Sequence, residues 1–207
     1  MLILDNTLYF AQGTTRKCYL HPRNPDLCVK IPLQNQLKRQ RGILRSIERE
    51  NTYYKKLVKN NISWSHLCQY HGDVQTNLGT GSIYQVIRDT GGEIARNLEH
   101  YLQQENFVHD YQNQLVIALR ALFAYMVNNR IVTTSLLPRN IVLTGAPDNF
   151  KLTIIDDIGN SEWLKVSELT TALTIRKIRR KWHKMLTDMQ AKYEGLSESL
   201  IDDVLNA

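Results

Sequence analysis

Three groups of residues in this sequence have the types and spacing to do phosphate and metal chemistry. The first is Lys30 within Leu27-Cys28-Val29-Lys30-Ile31. Successive strand side chains face opposite sides, so Leu27, Val29 and Ile31 share one face, and Cys28 and Lys30 share the other. A lysine in so apolar a strand is costly to bury unless paired. The second group supplies a partner. Ile43, Ile47, Glu50, Tyr54 and Leu57 fall at helical steps on one stripe, apolar or aromatic except for Glu50. An acid inside a packing stripe needs a cation. Lys30 is the candidate, and Glu48 is the alternative acid if the helix register is displaced. Such a pair holds an ammonium ready for phosphate oxygens.

The third group is a hairpin from Asn140 to Asp156, turning at Thr144-Gly145-Ala146-Pro147-Asp148-Asn149. Symmetric pairing about residue 148 sets Asn140 opposite Asp156. An amide oxygen beside a carboxylate makes a site for a hard cation such as Mg²⁺ carrying substrate phosphates. One residue of slip would turn the side chain to the other face.

The elements that must position these groups follow from periodicity and turn residues. Leu8–Ala11, Lys17–His21 and Leu27–Ile31 read as short strands, and Ile43–Asn60 as an amphipathic helix. Leu67–His71 and Gly81–Ile87 are strand-like, with Asp73–Thr80 between them. Asp89-Thr90-Gly91-Gly92 is a break. Helices follow at Arg96–Gln104 and Gln112–Asn128, the second apolar on most faces and expected to be buried. Ile131–Thr133, Ile141–Leu143 and Leu152–Ile155 read as short strands, and the tail from Trp163 as helix. Strands with one helix, then a glycine break, then helices with a hairpin make an α+β architecture, not an alternating parallel one. The 207 residues fit a single domain, with lobes at about 1–89 and 90–207.

Composition narrows the class. Apolar residues at 43% and charged residues at 22% are ordinary for a globular chain. No apolar run is long enough for a membrane span. Met1–Phe10 carries Asp5 and no basic start, so it reads as a strand and not a leader. Cys18, Cys28 and Cys68 are odd in number and lack metal-ligand spacing, which points to a reducing cytosol. The six histidines form no metal-binding pattern. Residues 1–60 carry 12 Lys/Arg against 4 Asp/Glu, and the rest 14 against 16. The basic first part suits an anionic partner.

Lysine on a strand, glutamate on the next helix, a break, a buried helix, then Pro-x-Asn and Asp on a hairpin follow the protein-kinase order. The sequence resembles a protein-kinase-like fold and, more narrowly, the bacterial YrbL family of PhoP regulatory network proteins. The strings that carry this are Gly13-Thr14-Thr15-Arg16-Lys17-Cys18-Tyr19-Leu20-His21-Pro22, the segment 129–143 and Asp156-Asp157-Ile158-Gly159. The resemblance implies a small β-rich N-lobe with one C-helix, and a shortened, mostly helical C-lobe containing a hairpin like a catalytic loop. It implies ATP and Mg²⁺ as cofactors. Lys30 would sit on the phosphates, with Glu50 orienting it, and Gly13, Thr14 and Arg16 would add backbone donors and charge. The hinge backbone at Arg88, Asp89 and Gly91 would take adenine, with Val86, Cys28 and Val29 near the ring. Asn140, with Asp156 ranked before Asp157, would hold metal.

The departures are as informative. Ser135 stands where kinases place the catalytic aspartate, and a serine hydroxyl cannot take a substrate proton as a carboxylate does. Positioning and electrostatics supply most phosphoryl-transfer catalysis, so slow transfer survives as an option, with Asp110 and Asp157 as substitute bases. No A-P-E segment follows. The leading expectation is a degenerate, regulatory or weakly active kinase. An active atypical kinase, acting on a small molecule or a protein, is the second. A basic adaptor for nucleic acid or an acidic protein, working through Arg176–Lys192, is the third; a closing helix with Trp182 packed inward is preferred to it. A nucleotide and an unidentified protein or small-molecule acceptor are the expected partners, with no membrane; nucleic acid is disfavoured.

Overall fold

The computed structural model describes residues 1–34, 37–104, 106–159, 170–193, 196 and 204, with backbone alone for 37–39. Trp163 and the expected start of the tail helix lie outside the described residues. The chain forms two units, Met1–Asn61 with Cys68–Ile87 and Ile62–Leu67 with Arg88–Ala207.

The first unit is an antiparallel sheet and one helix. Strands β1 (Tyr9–Gln12), β2 (Arg16–His21), β3 (Asn24–Pro32), β4 (Tyr70–Thr76) and β5 (Gly79–Gln85) lie in the order β1-β2-β3-β5-β4. Cys18 and Ser82 both stand opposite Lys30, and Tyr84 stands opposite Cys28. Strand alternation then sorts the sheet into two faces. Tyr19, Val29 and Ile31 pack with Leu2 and Leu4 on one face, helped by Val74 and Ile83. Arg16, Cys18, Cys28, Lys30, Ser82 and Tyr84 belong to the other face. Helix α1 (Leu37–Lys59) buries Ile43, Glu50, Tyr54 and Leu57. The rings of Tyr54, Tyr70 and Tyr84 lie 5.4–5.5 Å apart by centroids, so this aromatic cluster joins α1 to the sheet.

Two sequence expectations for this unit change. The segment Asp73–Thr80, read as a separator, contains most of β4 and a tight turn at Asn77-Leu78, with Thr76 opposite Gly79. Its polar appearance reflects an edge strand, in which His71, Asp73 and Gln75 face outward. Strand β3 also begins earlier than Leu27, because His21 pairs with Asn24 around a two-residue turn.

The second unit is mostly helical. Helix α2 (Leu98–Leu102) is capped by the Asn97 side chain, which accepts from the His100 amide. Helix α3 (Phe107–Asn128) buries Leu115, Val116, Leu119, Leu122 and Met126 but leaves Ile117 65% exposed. It begins before the expected Gln112 because a kink at Tyr111 joins an extra turn to it. Strands β6 (Ile141–Thr144) and β7 (Lys151–Ile154) form the hairpin. At Gly145, with φ +93°, a Cβ would lie 2.1 Å from the Asn149 carbonyl oxygen, so the turn accepts glycine alone. Residues 131–133 form no strand beyond a single bridge from Thr133 to Ile158. Residues 62–67 run beside β7: the Ile154 amide donates to the His66 carbonyl (2.9 Å), and Tyr125 Oη donates to the Ser63 carbonyl (2.6 Å).

Helix α4 (Thr171–Lys192) buries Trp182 completely against Phe123, which is the inward packing expected for that side chain. Its end is tied to α2, because Lys192 Nζ (2.6 Å) and Tyr193 Oη (2.9 Å) both donate to Glu99 Oε1. Among the described residues no helix is long and apolar enough to cross a membrane.

Two outcomes test this packing. Hydrogen bonds from Lys192 and then Tyr193 hold the Glu99 carboxyl below its ordinary value. A depressed carboxyl stabilises the fold above the unfolded value near 4.5 and loses that contribution as pH falls through the folded one. The thermal midpoint of Glu99→Gln should therefore lie below wild type at pH 7, and the two should converge below about pH 4.5. Burial pushes the Cys28 thiol up to about 12. Native protein at pH 8 should accordingly alkylate at the half-buried Cys18 well before Cys28, as peptide mass mapping would show.

Candidate functional site

In the first unit the acid on the α1 stripe is Glu50, buried, whereas Glu48 points to water. Its carboxylate accepts from Arg16 Nη2 at 2.8 Å, with side chains only 9% and 5% exposed. Arg16 begins β2 on the face that carries Lys30, and it reaches α1 from there. Its Nη1 donates to Tyr84 Oη (3.3 Å), which donates to Asn51 Oδ1 (3.2 Å). Asn51 Nδ2 continues to Ser82 Oγ (2.9 Å) and Asp73 Oδ1 (2.8 Å), and Lys55 Nζ caps Asp73 at 3.2 Å. Lys30 is buried, with Nζ 4.6 Å from the Tyr84 ring centroid.

The turn ahead of Arg16 is tight. The Gly13 amide donates to the Arg16 carbonyl (2.9 Å), so that amide is engaged within the turn, while Thr14 is exposed. The Arg16 charge, expected over phosphate, is instead buried against Glu50. Cys28 and Val86 are buried, and Cys28 serves as a compact filler with a protonated thiol.

In the second unit the break closes on itself. The Asp89 carboxylate accepts from the Gly91 (2.9 Å) and Glu93 (3.0 Å) amides. The Asp89 amide donates to the Glu93 carbonyl, the Gly92 amide to the Asp89 carbonyl, and Arg88 Nη1 to the Gly92 carbonyl. A base bound there competes with an internal turn for the Asp89 and Gly91 amides.

The hairpin register is displaced by one residue from the symmetric expectation. Ile141 faces Ile154, and the Ile155 amide donates to the Asn140 carbonyl at 2.9 Å. Asn140 therefore stands opposite Ile155 and not Asp156, because the last ladder pair is Thr144 with Lys151 and the hairpin centres between residues 147 and 148. Asn140 ends the 3-10 turn Pro138–Asn140. Its Nδ2 meets Asp157 Oδ2 at 2.8 Å, while Asp156 Oδ1 accepts from the Asp157 amide at 3.0 Å. Asp157 has φ +60°, rare for a residue with a side chain. Its carbonyl is held by both the amide (2.7 Å) and Oγ1 (3.0 Å) of Thr134, and the Gly159 amide donates to the Val132 carbonyl (2.7 Å). Lys181 Nζ, from α4, donates to the Thr134 carbonyl at 2.7 Å. Ser135 follows directly and is half-buried. Asp110 is exposed in the first turn of α3, where it pairs with His109 at 3.1 Å.

Sequence reasoning missed Arg16 as a partner of Glu50, and Tyr84, Asn51, Thr134 and Lys181 as supports. Strand parity held part of this information: 16, 18, 82 and 84 alternate onto the face of Lys30 once the pairing is known. The pairing itself leaves no local mark.

Asn140 and Asp157 offer an amide and a carboxylate, the hard donors that Mg²⁺ prefers. The observed amide orientation turns Nδ2 toward Asp157; rotating it by 180° would present the oxygen to a cation. Among the described residues no three His, Cys, Asp or Glu side chains gather to hold a metal on their own. The dyad thus suits an ion that arrives with phosphate ligands and keeps waters, and does not suit a caged structural metal.

A solved kinase-domain structure is similar to this chain with a TM-score of 0.56 at 15% identity, covering 98% of this chain and 70% of its own. The fold is therefore kinase-like. Proteins called YrbL from Escherichia coli (strain K12) and Shigella flexneri are 33% identical over 187 residues, 90% of this chain and 87% of theirs. The model of the PhoP regulatory network protein YrbL family matches residues 2–190. With nearly its whole length matched, the chain belongs to the YrbL family, and its fold is kinase-like.

Proposed function

We propose that this protein is a degenerate kinase that binds ATP with Mg²⁺ and acts in regulation or as a weak phosphotransferase. The observation that carries the reading is the Asn140–Asp157 contact at 2.8 Å, with Asp157 held in a left-handed backbone conformation by Thr134. Strained residues gather at sites where the strain sets up binding. Lys30 and Glu50, both buried, are the phosphate-side residues of this reading. Ser135 supplies no base, so transfer would rest on positioning and charge alone. The acceptor is an unidentified protein or small molecule. The cysteines are thiols and not disulfides, and the reading places the protein in the cytoplasm.

Binding is tested by thermal shift of the full chain. A ligand taken up only by the folded state adds about 2.7 kcal/mol at a hundredfold excess over Kd. Mg·ATP should raise the midpoint, Lys30→Ala should lose most of the rise, and Asp157→Ala should lose its dependence on Mg²⁺. No rise at millimolar Mg·ATP, or an equal rise in Lys30→Ala, overturns the reading.

Transfer is tested with labelled ATP and a panel of hydroxylated small molecules and proteins. Wild type should transfer slowly or not at all. Ser135→Asp should raise transfer by on the order of 10²-fold, the usual contribution of a general base. Fast wild-type transfer that Asp157→Ala abolishes would replace the degenerate reading with an active atypical kinase.

A further inference from the structure

We infer that the outer face of α1 is a docking surface for an acidic protein partner. Within the first unit, α1 turns Ile43, Glu50, Tyr54 and Leu57 inward. The opposite side carries Arg41, Arg45, Arg49, Lys56 and Lys59, all exposed and following one another at helical steps. From residue 41 to residue 59 the row is about 27 Å long, at 1.5 Å per residue. Eight of the 12 Lys/Arg in residues 1–60 fall within α1, against two acids, the exposed Glu48 and the buried Glu50. This row works against the helix that bears it. Arg41 and Arg45, Arg45 and Arg49, and Lys55 and Lys59 are each four residues apart, and like charges at that spacing weaken a helix. The first turn has no acid to set against the positive end of the helix dipole. Mixed signs at the same positions would be as soluble and would support the helix. A pattern that weakens the helix without serving solubility is accounted for by an anion that binds it.

The class of anion follows from the flank of the row. Leu44 is 45% exposed and Val58 50% exposed. Both lie on one side of the basic residues, because 44, 48, 51, 55 and 58 form a single helical series. A phosphate backbone gives these side chains no apolar partner. A bilayer does not suit the helix either, because an interfacial helix buries its apolar face in lipid, and here the sheet occupies that face. An acidic protein surface offers carboxylates to the row and aliphatic groups to Leu44 and Val58 together. The three arginines fit that partner, since a planar guanidinium takes a carboxylate with two hydrogen bonds, and opposite charge steers the encounter.

The test uses the full chain with a random glutamate–leucine copolymer, polyglutamate, a duplex DNA and phosphatidylglycerol vesicles as probes. Backbone NMR shifts should map copolymer binding to α1, and the copolymer should bind more tightly than polyglutamate. Arg45→Glu with Lys59→Glu should weaken copolymer binding about tenfold or more. Arg176→Glu with Arg179→Glu, at exposed positions of α4, should change it by less than about twofold. Arg45→Glu sets an acid four residues from both Arg41 and Arg49, so its thermal midpoint should rise while its binding falls. Lost binding in a more stable variant excludes unfolding as the cause. No copolymer binding at low ionic strength, an equal loss in the α4 variant, or a copolymer no tighter than polyglutamate overturns the inference. Tighter binding of the duplex or the vesicles at α1 assigns the face to that ligand and overturns it as well. Arg45 and Lys59 lie outside the proposed nucleotide site, so a failure to bind Mg·ATP leaves this test standing.

Discussion

The first unit depends on a buried ion pair. Glu50 occupies a stripe of α1 that otherwise packs apolar and aromatic side chains, and its side chain is 9% exposed. Such a carboxylate is tolerated only with a cation and further hydrogen bonds in place. Arg16 supplies a cation, and Tyr84, Asn51, Ser82 and Asp73 carry the hydrogen bonding on from its guanidinium. Removing one partner of such a pair costs about 3–5 kcal/mol, because the other is left buried and uncompensated. An apolar pair of similar volume would pack at least as well. The polar version therefore does something besides stabilise: it fixes which residues of α1 face which residues of β2 and β5.

The second unit reaches comparable order by different means. Asp157 is fixed chiefly through its backbone, with two donors from Thr134 on one carbonyl. Its left-handed backbone carries an energetic penalty of about 1–3 kcal/mol, which these bonds and the burial of Ile158 offset. Lys181 extends the clamp to α4 by holding the Thr134 carbonyl. The tail helix is thus part of the support for the dyad, although its sequence suggests a basic surface.

The sequence made the element types and the α+β class legible because apolar periodicity is a local property. Glu50 stood out because it interrupts an otherwise apolar stripe, and Asn140 because Pro-x-Asn precedes a strand. What stayed hidden depends on contacts between distant segments. Arg16 and Glu50 are 34 residues apart, and Tyr84 and Asn51 are 33 apart. Nothing near Arg16 marks it as buried, since a basic residue at a strand start usually faces water. The one-residue displacement of the hairpin comes from the shape of the turn at Gly145, which composition alone leaves open. Asp157 meets Asn140 from beyond the end of β7, where its left-handed backbone leaves the ladder. The polar edge strand β4 was misread for a related reason: alternation with water-facing residues looks like loop when the inward residues are few.

Position 135, which the proposed reading compares with the catalytic aspartate of a kinase, holds a serine. Thr134 holds Asp157 with its own amide and hydroxyl, so the support of the Asn140–Asp157 contact comes from the residue before Ser135. In the first unit, the network around Lys30 draws on β2, α1, β4 and β5. The parts that would hold a nucleotide and a cation are thus mechanically separate from the part that would accept a proton. A base can be removed from such a scaffold without loosening its binding groups. The reverse does not hold: a base at 135 would have nothing to act on if Asp157 or Lys30 lost its support. On the proposed reading, the residues kept in this chain are those that binding would need, and the one replaced would be needed only for turnover.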